Sequence, residues 1–125
     1  MKNLLKTSIL LFSIVLLSSF ILTDANSDIK DVIGTWNYSV PNAPVEYQIG
    51  ELILEDKEGE LYGYTLIGEY KNEIIKPKLE GNNLTFIMYI EDTDVSFNLN
   101  FKKNQFTGIV SYSEGTLDIT GERKK

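Results

Sequence analysis

The chain has 125 residues, 42% of them hydrophobic, with 12 basic and 18 acidic residues, no histidine, no cysteine and a net charge of -6. Without histidine or cysteine, Ser-His-Asp and Cys-His catalysis, thiolate metal sites and disulfides are all excluded, and an exported domain of this sequence rests on its core and its backbone ladders. The acidic balance opposes phosphate backbones and anionic headgroups, so nucleic acid and acidic membranes are not expected partners.

Residues 1–25 read as a secretory signal peptide: Lys2 and Lys6, an apolar run of 15 residues from Ser8 to Leu22, then small residues in Thr23-Asp24-Ala25 before a cut. A membrane span needs about 20 apolar residues and a signal core roughly 7 to 15, so export with removal is expected. No cysteine follows the run, so no lipoprotein anchor is expected. Removal takes away Lys2, Lys6 and Asp24 and leaves ten basic against seventeen acidic residues, a net charge of -7. Residues 26–125 then form one domain, secreted or periplasmic, with no membrane contact after cleavage.

Ser27 to Asp31 can form one short helical turn, and beyond it runs of alternating side chains are separated by clusters of Gly, Asn, Asp, Glu or Lys. That is the pattern of short antiparallel strands. The first predicted strand, Ile33–Val40, sends Trp36, Tyr38 and Val40 to one face and is ended by Pro41-Asn42-Ala43-Pro44. In the second, Val45–Glu55, the apolar positions change parity across Gly50, which predicts a glycine bulge. The third, Glu60–Ile67, is partly apolar on both faces, and its inner face is left open. The fourth, Asn72–Leu79, contains Pro77, which has no amide for a ladder, so this strand is an edge or the place where a closed sheet gapes.

The fifth, Leu84–Ile90, directs Leu84, Phe86, Met88 and Ile90 to one face, and the sixth, Asp94–Phe101, alternates Val95, Phe97, Leu99 and Phe101 with polar residues. The seventh, Gln105–Tyr112, carries Phe106, Val110 and Tyr112 in register. The eighth, Thr116–Glu122, carries Leu117 and Ile119 inward. Eight strands joined by short turns close most simply into an all-β, eight-stranded antiparallel up-and-down barrel, which removes exposed edges. A flattened barrel or two-sheet sandwich would use the same alternation.

Gly34-Thr35-Trp36 on the first strand, with Arg123 at the end of the last, resembles the calycins, the group of lipocalin, fatty-acid-binding and avidin barrels. The resemblance implies a lipocalin-like barrel in which Gly34, Trp36 and Arg123 form a structural lock, the guanidinium lying across the indole. It implies an interior cavity without naming a ligand, and with one tryptophan no biotin site carries over. The same lock follows from physics, since a buried indole N–H needs a partner and a guanidinium can cover the ring while donating to carbonyls.

Chemistry is sparse. The turn Glu91-Asp92-Thr93-Asp94 lacks the regular Asp-x-Asp-x-Asp-Gly calcium loop, and Glu46 and Asp118 fall opposite the inward sets, so no metal site, cofactor or enzymatic activity is expected. The interior is the better candidate. An eight-stranded barrel is just wide enough to be filled by side chains or to keep one small ligand. Tyr38, Phe86, Met88, Phe97, Phe106 and Tyr112 converge there, and they predict a ligand-binding barrel for a small apolar or amphipathic molecule. The alternative is an accessory module with a filled core that binds a protein or glycan through its outer face, near Ile87 and Tyr89.

Overall fold

Alternating apolar residues become the inward side chains of one antiparallel sheet over residues 29–125, the part of the chain that the computed structural model describes. The signal peptide read over residues 1–25 lies outside the described residues, as do Ser27 and Asp28 of the expected helical turn. Its remainder is a 3-10 turn at Ile29–Asp31.

Nine strands follow among the described residues: β1 (Gly34–Ser39), β2 (Ile49–Lys57), β3 (Glu60–Ile67), β4 (Tyr70–Glu73), β5 (Ile75–Glu80), β6 (Asn83–Ile90), β7 (Thr93–Lys102), β8 (Gln105–Tyr112) and β9 (Gly115–Arg123). The sheet order is β4-β3-β2-β1-β9-β8-β7-β6-β5, and β9 returns to β1 with Trp36 opposite Arg123. The barrel is up-and-down and nearly closed, with nine strands rather than the expected eight.

The extra strand comes from the proline-bearing segment. Its first half, β4, pairs with β3, whereas its second half, β5, pairs with β6. Between them the Ile74 amide donates to the Gly63 carbonyl at 3.0 Å. The register shifts between Ile75 and Lys78, and Lys76 takes a φ of 53°. Pro77 cannot donate, and it sits in this register shift within β5, whereas the change of ladder partner falls three residues earlier, at Ile74. The two edges of the sheet are therefore β4 and β5, and no ladder joins β4 to β6.

The second predicted strand is shorter at its start than expected. Val45–Tyr47 form a 3-10 turn, and β2 pairs with β1 in unbroken register from Ser39↔Ile49 to Gly34↔Leu54, without a bulge at Gly50. Ile49 is simply an exposed apolar residue. Gly50 faces inward beneath Tyr38, and a Cβ there would lie 2.6 Å from the Tyr38 hydroxyl oxygen. On β3 the inner face is Leu61, Gly63, Thr65 and Ile67, with Gly63 and Thr65 buried.

The remaining inward sets are as expected: Trp36, Tyr38 and Val40; Leu84, Phe86 and Met88; Val95, Phe97, Leu99 and Phe101; Phe106 and Val110; Ile119. One end of the barrel is packed solid. The Trp36 ring meets Phe101 at 4.9 Å and Phe106 at 5.8 Å between centroids, and Phe101 meets Phe106 at 5.2 Å. Gly121 makes this possible, because a Cβ there would collide with the Phe106 ring. Aromatic clusters of this kind contribute both area burial and favourable ring geometry.

Candidate functional site

The closed end is held by the first and last strands together. The Trp36 indole N–H donates to the Val32 carbonyl at 2.9 Å, and the Arg123 guanidinium lies 4.3 Å above the ring centroid. The same guanidinium donates to the carbonyls of Ile33 at 2.6 Å and Asp31 at 2.9 Å, and to the Asn104 side-chain oxygen at 3.0 Å. Gly34 has a φ of 131°, and a Cβ there would sit 2.7 Å from Arg123 Nη1. Gly34, Trp36 and Arg123 thus form one packed unit at this end, with a concavity outside it lined by Asp31, Val32, Phe101, Asn104 and Arg123.

The opposite end is open. A cavity of about 330 Å³ runs inward from the mouth, at the lower end of the usual range for small-molecule sites. Of the six residues expected to line an interior site, Tyr38, Met88, Phe97 and Tyr112 do so. Phe86 lies outside the lining and stacks on Phe97 with centroids 4.7 Å apart and planes at 13°. Phe106 belongs to the closed-end cluster. The aromatic set divides because the barrel is long enough to hold a packed layer and a hollow one.

The remaining wall comes from segments that the strand pattern does not reveal. After β1 the chain makes a compact strap: the Val40 amide donates to the Gln48 carbonyl at 2.7 Å, and the Gln48 side chain donates to the Ala43 carbonyl at 3.0 Å. This strap brings Ala43, Pro44 and Tyr47 to the mouth. The β6–β7 turn supplies Glu91 and Thr93, and the β8–β9 turn supplies Ser113 and Glu114. The only sequence signal for the strap is the pair Pro41 and Pro44, which by itself marks a strand end.

Two tyrosines of the cavity lining have displaced acidities. Burial pushes the Tyr38 phenol up to about 12. Loss of water, and then the neighbouring Glu91 carboxylate, hold the Tyr47 phenol above its usual value. Deeper in, the buried Thr65 hydroxyl has only the Met88 sulfur as acceptor, at 3.8 Å, a weak contact beside the cavity wall.

Outside the mouth lies a groove lined by Val45, Tyr47, Ile49, Ile67, Tyr70 and Ile90, next to the missing ladder between β4 and β6. Val45, Ile49 and Tyr70 are 79%, 72% and 78% exposed. It shares Tyr47, Ile67, Ile90 and Glu91 with the cavity. Pro77 lines neither concavity. The gap lies at β4, away from the proline, which stays within the paired strand β5.

Among the described residues, no three His, Cys, Asp or Glu lie close enough together to hold a metal ion. Glu91-Asp92 is a tight turn with φ of 51° and 64°. Glu46 belongs to the 3-10 turn rather than to a strand, and Asp118 is exposed on β9. No family model matches the chain, nor does any curated protein or solved structure.

Proposed function

We propose that this protein is an exported, non-enzymatic barrel that binds a small apolar or amphipathic molecule in its interior. The observation that carries the reading is the half-hollow interior: a closed end packed solid by Trp36, Phe101 and Phe106, and a cavity of about 330 Å³ at the other end walled by Tyr38, Met88, Phe97 and Tyr112. Kinship with the calycin barrels is part of this proposal. It is supported by the packing of Arg123 on Trp36 at the junction of the first and last strands.

Native mass spectrometry of the protein purified from its own host, before and after organic extraction, tests the reading. An extractable adduct identifies the cargo class. A clean mass, together with failure to take up an apolar dye, would refute it. The competing reading, an accessory module binding a protein or glycan by its outer face, is favoured by the exposed Val45, Ile49 and Tyr70 beside the mouth. Under that reading, changing Ile49 and Tyr70 together to Lys abolishes partner capture while the fold persists; unchanged capture removes this surface.

A further inference from the structure

The cavity wall is apolar, but its charge is of one sign. Among the described residues, Glu91 and Glu114 are the only charged ones that line it, and no Lys or Arg does. The adjoining groove repeats this bias, with Glu46 and Glu91 as its charged members. Among the described residues neither Glu91 nor Glu114 is paired with a cation, the ion pairs being Lys78 with Glu80 and Lys124 with Glu51, and Glu91 meets only the Tyr47 hydroxyl. Tyr47 and Tyr112 stand beside these carboxylates in the same lining, and their ring faces are negative in the quadrupole sense.

A second observation points inward from the mouth. Tyr38 is 8% exposed, and its hydroxyl, which lies over Gly50, has no hydrogen-bond partner among the described residues. Yet no buried side-chain oxygen or nitrogen among the described residues is both fully sealed and unpartnered. The Tyr38 hydroxyl therefore keeps a small accessible surface, and the cavity is one of the two concavities that Tyr38 lines. A buried hydroxyl without a partner costs stability unless something supplies one. The wall thus presents a polar anchor within and, at its exposed rim, negative charge that can attract a cation over a Debye length.

We propose that the cavity selects organic cations: an ammonium head held at the mouth by Glu91 and Glu114 beside the Tyr47 and Tyr112 rings, with the apolar body running inward past Met88 and Phe97. The Tyr38 hydroxyl serves a polar atom of that body where one is present. This inference rests on the preceding reading of the cavity as a ligand site, and it adds the chemical class of the head group.

The test uses the whole protein and three probes of one chain length, decyltrimethylammonium, decanol and decanoate, all below their aggregation concentrations, with binding measured by calorimetry at low salt. The expected order is ammonium, alcohol, carboxylate, with roughly tenfold or more between the first and last and a preference that shrinks as salt screens it. Glu91→Gln combined with Glu114→Gln, both on exposed turns, is expected to reduce the preference of the ammonium over the carboxylate to under about threefold. Equal binding of all three, or a preference for decanoate, overturns the charge selection and leaves the cavity reading standing. Failure of all three to bind to folded protein overturns both.

Discussion

At the end where the described chain begins and ends, an indole, two phenyl rings and a guanidinium fill the barrel, and every polar group of the Trp36–Arg123 pair has a partner within 3.0 Å. At the other end the same alternation of strands yields a hollow in which, among the described residues, the Tyr38 hydroxyl has no partner and the rim carboxylates pair with no cation. The two ends use similar residues and differ in completeness. A region optimised for stability satisfies its own polar groups, while a region left unsatisfied is available to something outside the chain.

That contrast can be broken most sharply by truncation. Trp36→Ala is expected to cost about 3–5 kcal/mol, because it removes a fully buried ring from a tight cluster, whereas Tyr112→Ala at the half-buried mouth costs about 1 kcal/mol. Urea denaturation of the two variants checks this; equal losses would mean that the ends are equally packed. A titration sharpens it further. The Tyr38 phenol ionises near 10 in the unfolded chain and at about 12 in the fold, so between these values the unfolded state binds fewer protons. Stability is therefore full below pH 10 and falls as pH rises toward 12, by about 2–3 kcal/mol from this group. Melting curves from pH 9 to 12 record the fall, and Tyr38→Phe is expected to make it shallower. The smallest effect lies in the rim turn. Asp92 has a φ of 64°, and Asp92→Gly gives the second position of a hairpin turn the residue it favours, raising stability by about 0.5 kcal/mol in the same urea assay.

Much of this architecture was legible in the chain, for physical reasons specific to each element. The β7 stretch from Val95 to Phe101 alternates cleanly because one face is buried and the other wet, and so its inward set can be read directly. The lock was legible because Trp36 and Arg123 are each unusual, and a buried indole and a terminal guanidinium have few ways to be satisfied. What was not legible depended on space. Ile49 looks like a buried strand residue until Gly50 is seen to yield its volume to Tyr38, which removes the need for a bulge. Phe86 and Phe97 are cross-strand partners with the same inward parity, and their pairing alone does not say which of the two stacked rings lines the cavity. The split of the fourth strand was half visible: Pro77 announced an interruption, but the change of ladder partner on either side of Ile74 arises from closure in three dimensions. The strap at residues 40–48 escaped because it carries no periodicity, only hydrogen bonds between parts of one loop.

The pairing of β1 with β9 sets a rule of timing. Each hairpin in the meander joins near neighbours and can form as soon as its two strands exist, but the bond from Arg123 to the Ile33 carbonyl spans 90 residues. A nascent chain has every hairpin but the last before it has a closed barrel, and closure waits for the final strand. The lock therefore completes only once Arg123 has been made, and until then β1 lacks its partner on the β9 side.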